Sequence, residues 1–155
     1  MPTSSVGRAS SGVTLIEMLL VVAIVGLLAA ITFPSFTSGL DSLRLTTACD
    51  AVASFMNAGL VHADQRRVPV ELGVAETERA LWLRSTEPGW VKRLELPEGV
   101  RVAGVSPAGP ARFLMYPGGT APRIGIELAN LRGTRRIVRL NPMTGVAEIE
   151  KPEAP

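Results

Sequence analysis

Gly12-Val13-Thr14-Leu15-Ile16-Glu17-Met18-Leu19-Leu20-Val21-Val22-Ala23-Ile24-Val25-Gly26-Leu27-Leu28-Ala29-Ala30-Ile31 is the stretch on which the fold turns. From Met18 to Leu40 no side chain is charged, a run of 23 residues. Wound as a helix at about 1.5 Å per residue, that run reaches about 34 Å, more than the roughly 30 Å of a bilayer's hydrocarbon layer. A membrane span is the direct reading. Glu17 stands at its edge, where a simple anchor has no use for a carboxylate. An ionised carboxylate near the bilayer core costs about 3 kcal/mol on insertion scales, so it calls for a partner. A glutamate at a helix start is also favoured by the positive end of the helix dipole. The residues alone leave both readings of Glu17 open.

Outward from this stretch, Met1 to Gly12 is short and polar, and Arg8 is its one basic side chain. That weak positive bias favours a cytoplasmic start and an exported C-terminal part. A removable secretory signal fits poorly, because Leu28 sits where a small residue would be needed if Ala30 ended the signal. The whole chain has 155 residues, 46% of them hydrophobic and 19% charged, which suits one domain with a real core. A net charge of +2 is too small to define a global nucleic-acid binder. Cys49 is the single cysteine and His62 the single histidine. This argues against an internal disulfide framework, a thiolate zinc site, a catalytic triad or a multi-histidine metal centre. We expect no enzyme, no metal and no cofactor.

The segment Gly12 to Val22 closely resembles the N-terminal signature of type IV pilins and of the pseudopilins of type II secretion. The resemblance implies that a prepilin peptidase cuts between Gly12 and Val13 on the cytoplasmic side and N-methylates Val13. It also implies that residues 1–12 are a removed leader, that the apolar helix is kept, and that Glu17 becomes the fifth mature residue. Val13 stands where the family usually has phenylalanine, and no basic residue directly precedes Gly12. On this reading the partner of Glu17 is the amine of a neighbouring subunit, and their pairing sets the axial register of a filament. Pro34 falls where family helices often carry a proline. It removes a backbone donor and clashes with the preceding turn, so it bends or loosens the helix, or marks the membrane exit with Ser35, Thr37, Ser38 and Gly39. Gly26 and Ala30 form a small-x-x-x-small pair suited to close helix packing.

Past Gly39 the pattern becomes amphipathic, with Leu45, Ala48, Cys49, Val52, Phe55, Met56, Gly59, Leu60 and Ala63 recurring at steps of three and four. Asp41, Arg44, Asp50 and Asp64 fall largely on the other side. One long helix is expected from about Leu15 to about Arg66, residues 13–40 in the membrane and 41–66 packed on a sheet. Cys49 reads as a small core residue and His62 as a surface or core-edge histidine rather than a ligand. From Val68 the period changes to two, with Val68, Val70, Leu72 and Val74 alternating. Further strands are expected at 80–84, 91–96, 100–105, 111–116, 123–130, 134–140 and 146–150, separated by turns rich in proline and glycine. The fold class is therefore α+β. A long N-terminal helix packs on a C-terminal antiparallel β region, 68–150, in a globular domain spanning 41–155.

A second, more diffuse resemblance runs through the C-terminal half. Its blocks are Arg67 to Leu72, Leu96 to Val102, Phe113 to Gly119 with Ile124 to Leu128, and Arg136 to Gly145, which look like the GspH/FimT family. That family implies a pilin-like fold and a minor pseudopilin of type II secretion, anchored in the inner membrane with its globular domain in the periplasm. The implied partners are other major and minor pseudopilins or pilins, the prepilin peptidase, the inner-membrane assembly platform and secreted cargo. The alternative is a FimT-like minor type IV pilin that binds DNA through Arg132, Arg135, Arg136 and Arg139, with Arg123 nearby and only Glu127 to relieve them. Arginines at that density can grip phosphates. On a strand, however, Arg135 and Arg139 project to one face and Arg136 to the other. Moreover, 14 of the 16 basic residues are arginine, which reads as a compositional bias rather than a site.

Overall fold

The computed structural model describes residues 13–75, 77, 79–109, 111–118 and 121–150. Helix α1 runs Leu15–Arg66, as its periodicity requires. The chain divides into two compact units, Met1–Ser38 and Gly39–Pro155, which are taken separately.

In the first unit Thr14 closes the start of α1. Its side-chain oxygen accepts a hydrogen bond from the Glu17 N–H at 3.3 Å, and its carbonyl accepts from the N–H groups of Glu17 and Met18. Donors at a helix start have no partner one turn back, and Thr14 supplies acceptors to two of them with its hydroxyl and carbonyl oxygens. Beyond the cap, every side chain from Val13 to Thr32 is exposed. Leu15–Thr32 is long and apolar enough to cross a membrane. Thr32 returns its hydroxyl to the Leu28 carbonyl and so hides its one polar group within the helix.

In the second unit the same helix is two-faced. Leu45, Ala48, Cys49, Val52, Met56 and Ala63 are buried, while Arg44, Asp50 and Asp64 face out. The helix ends by a local device. Arg67 takes a positive φ of 56°, and the Val68 N–H reaches back to the Ala63 carbonyl at 3.3 Å. This satisfies an end carbonyl in the manner of a Schellman cap. Pro69 follows and blocks any further turn. Val68 is consequently spent on the cap, although its alternation with Val70, Leu72 and Val74 suggested a strand residue.

Among the described residues eight strands follow: β1 Val70–Ala75, β2 Ala80–Ser85, β3 Val91–Glu95, β4 Val100–Ser106, β5 Arg112–Met115, β6 Gly125–Asn130, β7 Arg135–Leu140 and β8 Ala147–Glu150. They form two four-stranded antiparallel sheets, ordered β3-β2-β1-β5 and β4-β6-β7-β8. The sequence pointed to one β region; the partition into two sheets arises because the chain crosses between them after β3, β4 and β5. Alternation within each strand sends one set of side chains inward. Leu72, Leu83 and Met115 of the first sheet, Ile126, Leu128 and Val138 of the second, and the helix stripe make one core.

Two glycines permit the closest approaches. A methyl group on Gly59 of α1 would come within 2.9 Å of the Leu83 side chain, so the helix lies against β2 because position 59 is empty. On the other side of that sheet, a methyl group on Gly73 would lie 2.0 Å from the Trp82 ring. The indole therefore lies down over β1. Polar ties fasten the helix to both sheets. The Gly118 N–H donates to Asp64 at 2.8 Å, the Ala147 N–H donates to the Asn57 side chain at 3.0 Å, and Arg132 pairs with Asp41 at 3.1 Å.

Gly73→Ala should lower the unfolding free energy by about 1–3 kcal/mol, the usual cost of forcing a packed ring aside. Urea denaturation of a fragment beginning at Gly39, followed by tryptophan fluorescence, measures it.

Candidate functional site

The residues singled out at the N-terminus meet at the head of an uncovered apolar helix. Val13 immediately precedes the cap and is exposed. Glu17 occupies the first turn of α1, with its backbone N–H held by Thr14. Thr14-Leu15-Ile16-Glu17 is thus a Ser/Thr-x-x-Glu capping sequence. Thr14 went unnoticed in the sequence, although that four-residue pattern was enough to find it. The cap uses the backbone of Glu17 and leaves its carboxylate exposed. Among the described residues nothing hydrogen-bonds or pairs with that carboxylate. Gly12, and with it the bond expected to be cut, lies outside the described residues. Pro34 falls inside the bounds of α1. Around Gly26 a methyl group would meet nothing within 4 Å, so among the described residues nothing packs into the gap that Gly26 leaves.

The arginines of the alternative reading are dispersed by the fold. Arg135 and Arg139 share the outer face of β7, and Arg136 turns to the core side, where it is half-buried. Arg135 pairs with Glu127 at 3.1 Å, Arg139 with Glu150 at 3.2 Å and Arg132 with Asp41 at 3.1 Å. Glu127 is therefore not their sole relief. Asp41 and Glu150, distant in sequence, also answer the cluster. Exposed ion pairs of this kind are worth only about 0–1 kcal/mol each, yet they cancel the field that would hold a phosphate backbone. Arg123 and Arg139 do border an open hollow of about 480 Å³, but Glu148 and Glu150 border it too.

His62 stacks on Trp90 with ring centres 3.7 Å apart, and its Nε2 faces Glu87 at 3.7 Å, beyond hydrogen-bonding distance. It is a core-edge histidine. Among the described residues no group of three or more metal-ligating side chains occurs. Cys49 is wholly buried, and burial pushes its thiol up from 9.0 to about 11; nearby Arg136 opposes the shift and Asp50 adds to it.

A model of the prokaryotic N-terminal methylation motif matches residues 7–33. The chain therefore carries a type IV pilin-like prepilin signal, a mark of structural rather than known enzymatic proteins. That signal leads into a helix fit to be a membrane anchor, ahead of an α+β fold consistent with a pilin. No curated protein matches the chain, and no solved structure does.

The folded state holds the Cys49 proton to a higher pH than the unfolded chain does. Its contribution is complete below about pH 9 and is lost as pH rises toward 11. Stability should fall by roughly 2 kcal/mol more across that window in the native sequence than in Cys49→Ala. Denaturant titrations at the two ends of the window compare them.

Proposed function

We propose that this chain is a minor pseudopilin of a type II secretion system. In this reading it is anchored in the inner membrane, trimmed between Gly12 and Val13, and assembled into a periplasmic filament that drives export of folded proteins. The observation that carries the reading is the exposed Glu17 carboxylate on the first turn of an uncovered apolar helix, inside a methylation motif. A charge so placed is stable in lipid only when matched. The cut makes the match, because it creates an amine four residues ahead of Glu17 on every subunit. One subunit's amine then answers the next subunit's carboxylate, and the pair sets the stagger between adjacent helices.

The apolar residues follow the same logic. Before assembly, lipid covers the helix from Leu15 to Thr32. After assembly, neighbouring helices replace the lipid, and the gap at Gly26 and Ala30 lets one of them approach closely. The globular unit stays outside for contact with other minor subunits, the assembly platform or cargo. A pilus role places the same subunit in a type IV filament with the same membrane chemistry. DNA binding finds less support, because three of the four arginines assigned to it are already paired with acids.

Glu17→Ala should leave leader removal intact and reduce incorporation into sheared filaments at least about tenfold, the effect of leaving a buried charge unmatched. Immunoblotting of filament and membrane fractions reads incorporation. Mass spectrometry of the mature N-terminus should find Val13 first and bearing one methyl group. A chain still carrying residues 1–12 in the filament would overturn the proposal. A fragment beginning at Gly39 should not retard duplex DNA at low salt; clear retardation, lost on Arg135→Ala with Arg139→Ala, would move the assignment to the DNA-binding pilin.

A further inference from the structure

The two sheets turn different chemistry to solvent. On the outer face of the β4-β6-β7-β8 sheet, Arg135 is matched by Glu127, Arg139 by Glu150, and Glu148 accepts a hydrogen bond from Asn141. On that face two of the arginines are thus answered by carboxylates. The outer face of the β3-β2-β1-β5 sheet adds an aromatic ring beneath its arginines. Strand register sets Arg93, Trp82, Gly73 and Arg112 in one row across its four strands, and Val91, Arg84, Glu71 and Leu114 in the next.

Because position 73 has no side chain, the Trp82 indole lies flat and serves as a floor. The guanidiniums of Arg84 and Arg112 stand over it, 5.1 and 5.7 Å from the ring centre. A guanidinium held on an aromatic face has already lost much of its freedom and keeps its N–H edges turned outward for a planar oxyanion. Arg112 is answered by Glu71 at 3.7 Å and Arg93 by Glu95 at 3.4 Å. Among the described residues no carboxylate lies within ion-pair reach of Arg84. Beside it a hollow of about 190 Å³ opens between Ala80, Val91 and Arg93. Apolar side chains bound the row at both ends, Val91 at 60% exposure and Leu114 at 49%.

Tryptophan and arginine at the centre of a patch with aliphatic flanks is the composition of protein-binding hot spots. A nucleic-acid strand is served less well. It would find one aromatic ring, already covered by two guanidiniums, and two glutamates that repel phosphates. We propose that the outer face of the β3-β2-β1-β5 sheet docks a protein partner whose surface presents carboxylates between aliphatic side chains. Arg84 is the anchor, Trp82 the platform that orients it, and Val91 and Leu114 the apolar flanks. The surface works the same way whether the chain serves a secretion or a pilus filament, and it does not depend on Glu17.

A photo-crosslinking side chain at Leu114 of the full chain, in membranes of the native cells, tests this, with the same side chain at Arg101 on the other sheet as reference. The expected result is a dominant polypeptide adduct from position 114 whose linked peptide contains Asp or Glu. Its yield should drop about tenfold on Arg84→Glu and less on Arg84→Lys. Arg84 and Leu114 are exposed, so these variants should keep the native thermal midpoint, which is checked alongside. Equal adducts from positions 101 and 114, a yield indifferent to Arg84→Glu, an adduct with nucleic acid or lipid alone, or no adduct would each overturn the proposal.

Discussion

An apolar helix that the described residues leave uncovered governs the rest of this molecule. From Val13 to Thr32 every side chain faces outward, and nearly all of that surface is hydrocarbon. At about 25 cal/mol per Å² of apolar surface, leaving a helix of this length in water costs far more than the 5–15 kcal/mol by which a domain is ordinarily stable. The segment must therefore be covered; under the proposed function lipid does so first and other helices afterwards. The single carboxylate at its head is tolerable in either setting only if a positive charge arrives at the same depth. Under the proposed function both requirements are met at once, because identical or related helices bundle with the amines made by the cut at one level. The physics of solubility and the logic of assembly are here the same argument.

The second half of the helix has the opposite task. Its apolar stripe is the common floor of two sheets that do not hydrogen-bond to one another. Gly59 brings it against Leu83, while Asp64, Asn57 and Asp41 tie it to the loop after β5, to β8 and to the β6–β7 turn. Without the helix the two sheets would have no shared core. The single helix thus joins a part long and apolar enough to cross a membrane to a part that makes its own interior.

Much of this was legible in the residues. The change of hydrophobic period from 3.6 to 2 near Val68 marks the end of α1, and each expected strand forms within a few residues of its expected limits. The signals were strong because most strands are bounded by proline, glycine or asparagine and carry a clean inward set. What escaped the sequence was everything that depends on which strands become neighbours. The split into two sheets, the pairing of Arg132 with Asp41 and of Arg139 with Glu150, and the row through Trp82 all join residues from separate strands or loops. Thr14 is a different kind of miss, since its pattern is local; attention to Glu17 as a charge obscured its place in a cap.

The ties between helix and sheets also bear on how the chain comes into being. Asp41 waits for Arg132, 91 residues later, and Asn57 waits for Ala147, 90 residues later. During synthesis the stripe of Leu45, Val52 and Met56 emerges long before the strands that will cover it. Until β6 and β7 are made, the chain has an apolar helix stripe and only half of the sheet surface that covers it. Such a species is prey for proteases and prone to clump. Completion of the fold is therefore gated by residues 125–150, and a premature stop there should leave debris rather than a shortened but working protein.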